Sequence, residues 1–168
     1  MRLELPEPAL IVLIGAAGSG KSTLAARLFA PTDVLSSDAY RALVAGDASD
    51  QKVTRVAFSI LHRELGRRMV ARRTTIVDAT NVTTYGRRSL VRRAAAAAVP
   101  AVAIILHLPP ALVLARNATR EGHIVPEAVV RRQVDELERS LRRGLDSDGF
   151  AAIHVLRSAA AVDELEVG

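Results

Sequence analysis

The chain has 168 residues and a mass of 18.0 kDa, enough for one hydrophobic core and too little for two domains of ordinary size. Hydrophobic residues make up 49 % and charged residues 24 %, which excludes a disordered or fibrous chain. The absence of cysteine excludes disulfide scaffolds, zinc fingers, iron–sulfur sites and thiol nucleophiles. We therefore expect a single domain over residues 1–168 whose chemistry uses oxygen, nitrogen or a bound cofactor.

The charge balance favours a polyanionic partner without establishing one. The net charge is +5 and the isoelectric point is near 10.6, but Lys21 and Lys52 are the only lysines among the 23 basic residues. A compositional bias toward arginine therefore accounts for the charge equally well. Aromatic residues make up only 3 %, which disfavours a stacking platform for single strands. No apolar run approaches the roughly 18 residues that cross a bilayer, so the sequence predicts a cytoplasmic protein without a membrane partner.

Short apolar runs alternate with longer segments of helical periodicity, as in βαβ units. Strands are predicted at 10–14, 33–36, 74–77, 101–108 and 151–156. Helices are predicted at 21–29, from about 50 to 72, after an N-cap at Thr83, from the Pro109-Pro110 pair, after Pro126, and as a short acidic helix around 163–166. Residues 36–41 are expected as a polar loop. This order predicts a three-layer α/β/α fold around a five-stranded parallel sheet.

The segment after the first strand matches the phosphate-binding pattern Gly-x-x-x-x-Gly-Lys-[Ser/Thr], the P-loop. Its residues are Gly15, Ala16, Ala17, Gly18, Ser19, Gly20, Lys21 and Ser22, followed by Thr23. Glycine-rich backbone directs successive N–H groups into one concavity, and the following helix adds the positive end of its dipole. Lys21 reaches the terminal phosphates, and Ser22 offers an oxygen to Mg²⁺. The motif predicts a site for ATP, or another nucleoside triphosphate, with Mg²⁺.

Asp38 follows the second strand and so emerges at the carboxyl edge of the sheet, on the side of the P-loop. Phosphoryl transfer to an alcohol needs a group that orients the hydroxyl and takes its proton, and an aspartate meets that need. Arg41, three residues later, is positioned to hold an anionic part of the acceptor. The alternatives are a helix N-cap for Asp38 and a solvated surface arginine for Arg41.

The third strand ends in a second carboxylate, Asp78, where P-loop folds keep an acid near the metal. We expect Asp78 to hold the Ser22 hydroxyl or a magnesium-bound water. Asn81 and Arg87 are further candidates for contact with the acceptor. A turn-forming asparagine explains Asn81 equally well, and Arg87 lies in a run of basic residues.

Arg116 and Arg120 lie one turn apart on a predicted helix after the fourth strand, ahead of Gly122, where small kinases carry a movable lid. One arginine is suited to stack on the nucleotide base, and the other to neutralise charge on the β- and γ-phosphates. The alternative is an exposed arginine pair.

From about residue 9 to 165 the chain resembles the kinase domain of bacterial polynucleotide 5′-hydroxyl kinases, phage-type end-healing enzymes of the adenylate-kinase-like P-loop group. The motifs that carry the resemblance are GAAGSGKST, SSDAYR, VDATN with Arg87 after it, and RNATR followed by the Val125-Pro126 helix. The resemblance implies a sheet order of 2-3-1-4-5, a triphosphate donor with Mg²⁺, and transfer of the γ-phosphate to the 5′-hydroxyl end of RNA or DNA. It also implies Asp38 as general base, Arg41 on an acceptor phosphate, and Arg116 with Arg120 in a lid over about 110–128.

Two other functions share these motifs. A kinase of a small molecule, such as a sugar, an antibiotic or a nucleotide sugar, has the same donor site with a different acceptor. A regulatory ATPase binds nucleotide without an acceptor. A GTP switch is disfavoured because the chain lacks the Asn/Thr-Lys-x-Asp sequence with which such proteins recognise guanine. The sequence does not distinguish RNA from DNA as the acceptor, and it does not indicate the oligomeric state.

Overall fold

A computed structural model of the chain describes residues 1–44 and 51–168. Seven strands lie in these residues: β1 (Arg2–Leu3), β2 (Leu10–Ile14), β3 (Val34–Ser36), β4 (Thr75–Asp78), β5 (Ala101–Leu106), β6 (Ala152–Leu156) and β7 (Glu166–Val167). Strands β2 to β6 form one sheet in the order β3-β4-β2-β5-β6, and every pair in it is parallel. Counted over these five strands alone the order is 2-3-1-4-5, so the predicted α/β fold and its sheet are confirmed.

The same described residues hold seven α-helices: α1 (Lys21–Leu28), α2 (Ser37–Val44), α3 (Gln51–Val70), α4 (Thr84–Ala96), α5 (Pro110–Ala118), α6 (Glu127–Arg143) and α7 (Ala159–Asp163). The predicted N-cap of α4 is confirmed, because Oγ1 of Thr83 accepts a hydrogen bond of 3.2 Å from the Gly86 N–H. The predicted start of α3 at about residue 50 lies outside the described residues.

Two local predictions are wrong. The expected polar loop after β3 is helix α2, whose first turn is stabilised by Oγ of Ser36 accepting from the Ala39 N–H at 3.3 Å. The expected acidic helix around 163–166 starts earlier, as α7, because Ser158 caps it through the Ala161 N–H at 3.1 Å. Strand β7 follows α7 and pairs with β1 in a separate two-stranded sheet.

Successive side chains of the central strand, β2, point to opposite faces of the sheet, so the core has two layers. In β2, Leu10, Val12 and Ile14 pack in the cluster that includes residues of α3 and α4. Ile11 and Leu13 pack in the opposite cluster, which includes residues of α1. All five side chains are fully buried, and burying such a side chain contributes about 1.5–3 kcal/mol. Helices thus cover both faces of the sheet.

The register of the sheet brings the ends of the strands to one edge. Asp78, the last residue of β4, pairs with Leu13 on one side and with Ser36 on the other. The P-loop follows directly after β2, and α2 follows directly after β3. The phosphate-binding loop, Asp78 and Asp38 therefore share the carboxyl edge, where ligands of open α/β sheets bind. Within the described ranges, no helix combines the length and apolarity needed to cross a membrane.

Candidate active site

A cavity of about 410 Å³ opens at this carboxyl edge of the sheet. The predicted site residues that line it are Ala17, Gly18, Gly20, Lys21, Ser22, Thr23, Asp38, Arg41, Asp78, Arg116 and Arg120. They come from the P-loop, α1, α2, β4, α5 and the segment after α5, which are far apart in sequence. The fold thus brings predicted donor residues into one cavity with two of the four predicted acceptor residues, Asp38 and Arg41.

The P-loop is held tightly against helix α5. Gly18 has φ +87°, and a Cβ there would meet the carbonyl oxygen of Val113 at 2.3 Å. Gly20, at φ 95°, is the N-cap of α1, and a Cβ on it would lie 3.8 Å from Nη1 of Arg116. Both positions need the left-handed backbone that glycine adopts at little cost. Close approach at Gly18 therefore brings α5 and its Arg116 guanidinium over the phosphate-binding loop.

Lys21 is buried within the P-loop itself, with 8 % of its surface exposed. Its Nζ donates to the carbonyl oxygen of Ala16 at 2.9 Å and to Oγ of Ser19 at 3.4 Å. Burial lowers the pKa of Lys21 to about 8, while the nearby carboxylates of Asp78 and Asp38 act to raise it. The ammonium group is thus poorly solvated, and a triphosphate would supply the negative charge that it lacks.

Ser22 and Asp78 form a pair of oxygen ligands beside the P-loop. Oγ of Ser22 donates to Oδ2 of Asp78 at 2.7 Å. A hydroxyl and a carboxylate are hard oxygen ligands that fit Mg²⁺, which is commonly bound through one or two carboxylates plus substrate phosphates. No group of three or more His, Asp or Glu side chains suited to a metal is found in residues 1–44 and 51–168, so the chain offers no complete metal cage of its own there.

Asp38 lies in the first turn of α2 with its side chain 54 % exposed and two arginines beside it. Oδ1 accepts from Nη1 of Arg41 at 2.8 Å, and Oδ2 lies 3.4 Å from Nη2 of Arg120. The Arg41 pair is local, since the two residues are three apart on one helix, whereas the Arg120 pair joins α2 to the residues after α5. The carboxylate therefore faces the cavity while both of its oxygens are engaged.

In the part of the chain that the structure describes, Arg41 has one polar atom without a partner. Its Nε is buried and makes no hydrogen bond among the described residues. Its guanidinium carbon also lies 5.9 Å from the ring centroid of Phe58, a cation–π contact. An unpaired buried N–H group is costly, so this guanidinium has donor capacity that an anionic ligand would satisfy.

The predicted lid is braced at its base. The side chain of Asn117, 3 % exposed, donates from Nδ2 to the carbonyl oxygen of Val125 at 2.7 Å and accepts from the Val125 N–H at 3.2 Å. This pair closes the segment between α5 and α6, which contains Arg120 and Gly122. In the following helix, Oε1 of Gln133 accepts from the Ala17 N–H at 2.9 Å. The predicted lid segment is thus closed at its base by Asn117, and the helix that follows it is bonded to the P-loop.

Asn81 and Arg87 do not line this cavity, so the structure does not bring these two predicted acceptor ligands together with Asp38 and Arg41. Asn81 is 9 % exposed and donates to the carbonyl oxygen of Leu13 at 2.8 Å. Arg87 is 1 % exposed, and its Nε donates to Oδ2 of the buried Asp148 at 2.6 Å. Its other donors bond to Asn81 and Val82 carbonyls and to Thr84 and Ser140 hydroxyls. Both side chains therefore have structural contacts in the interior.

Sequence reasoning missed the far wall of the cavity, which includes Arg27, Gln133, Val162 and Asp163. The Arg27 guanidinium donates to the carbonyl oxygens of Leu165 at 2.8 Å and Val162 at 2.6 Å. These bonds hold the end of the chain against α1. No local motif indicates them, because the partners lie more than 130 residues apart.

The chain belongs to the AAA domain family, whose model matches residues 10–143. No curated protein sequence matches the chain. Solved structures that resemble it include a chain of the Pnkp1/Rnl/Hen1 RNA repair complex, with TM-score 0.72 and 20 % identity over 83 % of this chain and 47 % of that one. This chain therefore spans about half the length of that protein.

Two kinases of small molecules resemble the chain over most of their own length. A gluconokinase from Sinorhizobium meliloti 1021 has TM-score 0.59 and 19 % identity, over 95 % of this chain and 88 % of that one. Shikimate kinase from Acinetobacter baumannii, solved with shikimate, has TM-score 0.56 and 20 % identity, over 92 % and 87 % of the two chains. At these identities the likeness shows the fold, which is that of the P-loop kinases.

Proposed function

We propose that the chain is a Mg²⁺-dependent kinase that transfers the γ-phosphate of ATP, or another nucleoside triphosphate, to the 5′-hydroxyl end of RNA or DNA. In this proposal residues 1–168 form a single kinase domain with a lid over about 110–128. The observation that carries it is the placement of Asp38 and Lys21 in one cavity, with Arg41 and Arg120 at the carboxylate. This arrangement has a phosphate-binding end and a proton-accepting end.

The donor end uses the P-loop. Its backbone N–H groups and the start of α1 bind the phosphates, and Lys21 gains the anionic partner that its burial demands. Ser22 and Asp78 would hold Mg²⁺, directly or through water, and Mg²⁺ would neutralise charge on the phosphates. Arg116, beside Gly20, is positioned to reach the phosphates or the base.

The acceptor end uses Asp38. The carboxylate orients the 5′-hydroxyl and takes its proton as the new bond forms between the 5′ oxygen and the γ-phosphorus. The bond from the γ-phosphorus to the bridging oxygen breaks, and the nucleoside diphosphate leaves with the electron pair. Arg41, whose Nε has no partner among the described residues, holds a phosphate of the acceptor strand. Arg120 moves from Asp38 to the transferring phosphate, which frees one carboxylate oxygen.

Two observations support a nucleic-acid acceptor. The motifs resemble those of polynucleotide 5′-hydroxyl kinases, and the fold is shared with a chain of the Pnkp1/Rnl/Hen1 RNA repair complex. The basic net charge is consistent with it. A second candidate, a kinase of a small molecule, is favoured by one observation: the gluconokinase and the shikimate kinase match over 88 % and 87 % of their own lengths, against 47 % for the RNA repair protein.

The test is transfer from γ-labelled ATP to a 5′-hydroxyl oligonucleotide in the presence of Mg²⁺, with a 5′-phosphorylated oligonucleotide as the matched control. We expect label on the first strand only, and an apparent affinity for that strand that falls as salt rises. Salt-insensitive transfer to a sugar or another small alcohol, without transfer to the strand, would establish the second candidate. Slow hydrolysis of bound ATP without transfer to any acceptor would contradict both and leave the regulatory ATPase.

A further inference from the structure

A second cavity, of about 720 Å³, lies between α3 and α4 on the face of the sheet opposite α1. We call it the α3–α4 groove and define it by six of its lining side chains, which are Phe58, His62, Arg63, Tyr85, Ser89 and Arg93. Nothing in the donor and acceptor chemistry described above uses these residues.

The α3–α4 groove combines aromatic surface with positive charge. Phe58 and Tyr85 are two of the five aromatic residues of the chain, which has three Phe, two Tyr and no Trp. Tyr85 is 81 % exposed, although burial of such a ring is favourable. Arg63 and Arg93 line the groove, and among the residues that the structure describes no carboxylate does. The groove therefore has two aromatic rings, although the chain as a whole has few.

The groove is joined to the acceptor end of the active site by consecutive side-chain contacts. Arg41, which pairs with Asp38, lies over the Phe58 ring at 5.9 Å. The Phe58 ring in turn lies 6.5 Å from the ring of His62, whose Nδ1 accepts from Nε of Arg93 at 3.0 Å. These contacts link Asp38, at the acceptor end of the active site, to the lining of the groove.

The loop after β4 separates the two cavities. Asp78, Ala79 and Thr80 line the active site, whereas Val77 and Asn81 line the α3–α4 groove. Both cavities therefore open near the carboxyl end of the same strand. Asn81, whose side chain donates to the carbonyl oxygen of Leu13, therefore lies at the boundary between the two cavities.

We propose that the α3–α4 groove binds the nucleotides that follow the 5′-terminal one in a single-stranded acceptor. Bases stack on Tyr85 and Phe58, and the backbone phosphates lie against Arg63 and Arg93. Stacking on aromatic rings inside a basic groove is how proteins bind single strands without reading their sequence. The inference deepens the proposed function and rests on it, because it assigns the path of the acceptor beyond its reacting end.

The test compares two acceptors, a nucleoside 3′-phosphate and a 5′-hydroxyl oligonucleotide of about ten nucleotides, which lies within the usual span of single-strand sites. We expect the wild-type protein to prefer the oligonucleotide, measured as the ratio of the two kcat/KM values. Tyr85→Ala should lower this ratio by about 5- to 150-fold, the range for loss of one stacked base. Tyr85→Phe should preserve it, because the ring remains.

Arginine variants test the phosphate contacts. Arg93→Ala should lower the same ratio and reduce the salt dependence of oligonucleotide binding by about one counterion. Arg92→Ala is the matched control, since Arg92 is exposed on the same helix and does not line the groove, so its ratio should stay near the wild-type value. A Tyr85→Ala ratio equal to wild type, or equal loss of kcat/KM for both acceptors, would overturn the inference.

Direct binding separates this inference from the proposed function. Fluorescence anisotropy of the labelled oligonucleotide, measured without triphosphate, reports strand binding without phosphate transfer, and the difference between the wild-type protein and the Tyr85 variants gives the share of the groove. If the wild-type protein transfers phosphate to no strand, the proposed function fails, and the groove is then tested by binding. Weaker binding by Tyr85→Ala but not by Tyr85→Phe supports the groove, and equal binding by all three proteins overturns it.

Discussion

Two of the clusters that pair arginine with aspartate in the described residues have opposite surroundings. Arg87 and Asp148 are buried, with 1 % and 2 % of their side chains exposed, and their atoms are 2.6 Å apart. Arg41 and Arg120 meet Asp38 at the cavity, where the Asp38 side chain is 54 % exposed. The same two residue types thus form one pair inside the fold and one cluster at its surface.

The two clusters differ in how many of their arginine N–H groups have hydrogen-bond partners. All the guanidinium nitrogens of Arg87 bond to groups within the chain, so that side chain has no capacity for a ligand. Arg41 keeps a buried Nε without a partner in the described part of the chain. A saturated pair is suited to hold elements together, and an unsaturated cluster is suited to bind and release an anion. Variants at each cluster test whether the Arg87–Asp148 pair stabilises the fold and whether the cluster at Asp38 binds a ligand.

The largest effect is expected at Asp38. Asp38→Asn keeps the size and shape of the side chain but removes its ability to take a proton, so we expect kcat with an oligonucleotide acceptor to fall by about 10²- to 10⁴-fold. The dissociation constant of a non-hydrolysable ATP analogue should change only a few-fold. Asp146→Asn, at an exposed carboxylate outside both the cavity lining and the proposed lid, is the matched control and should retain kcat. Full activity of Asp38→Asn would exclude Asp38 as the general base.

The next effect is on stability, at the buried pair. Arg87→Met removes one partner of a buried ion pair, which costs about 3–5 kcal/mol of unfolding free energy. Arg88 still contacts Oδ1 of Asp148 at 3.2 Å, so we expect the lower end of that range. Urea denaturation measures the change. Arg87→Met combined with Asp148→Leu should recover part of the loss, because no unpaired charge then stays buried. A loss of unfolding free energy below about 1 kcal/mol would show that this pair contributes no more than an exposed ion pair.

A smaller effect is expected from pH at Lys21, whose pKa burial lowers to about 8. Bound phosphates favour the charged lysine and raise its pKa, so above pH 8 the free protein must take up a proton to bind nucleotide. The affinity for an ATP analogue should therefore be level below about pH 8 and fall by about tenfold per pH unit above it. Lys21→Met should bind more weakly and lose this dependence. A level wild-type profile across the same range would show that Lys21 stays charged in the free protein.

Local patterns predicted the parts of the fold and the site that depend on neighbouring residues. The five strands of the sheet, the P-loop and the Thr83 cap each follow from a short stretch of sequence. Asp38 and Arg41 lie three residues apart on one helix, so their proximity could also be anticipated. The placement of Asp78 beside Ser22 follows from the parallel register.

The contacts that the sequence did not predict join partners distant in sequence. Arg87 pairs with Asp148, 61 residues away, and nothing near Arg87 distinguishes it from the exposed arginines around it. The pairing of β7 with β1 joins the two ends of the chain through strands of two residues, which are too short to produce a periodic pattern. The α3–α4 groove is formed by two separate helices, and only their packing brings Phe58 and Tyr85 together.

The smallest effect is expected for the contact between Arg120 and Asp38. Their atoms are 3.4 Å apart, and their side chains are 32 % and 54 % exposed, so water and salt screen the attraction. A double-mutant cycle of Arg120→Ala and Asp38→Asn, measured by urea denaturation, should give a coupling of about 0.2–1 kcal/mol that shrinks as salt is added. Such a weak contact is easily exchanged for a phosphate, as the proposed movement of Arg120 requires. A coupling above about 2 kcal/mol, insensitive to salt, would instead make this pair structural like Arg87 and Asp148, and Arg120 could not be released at each turnover.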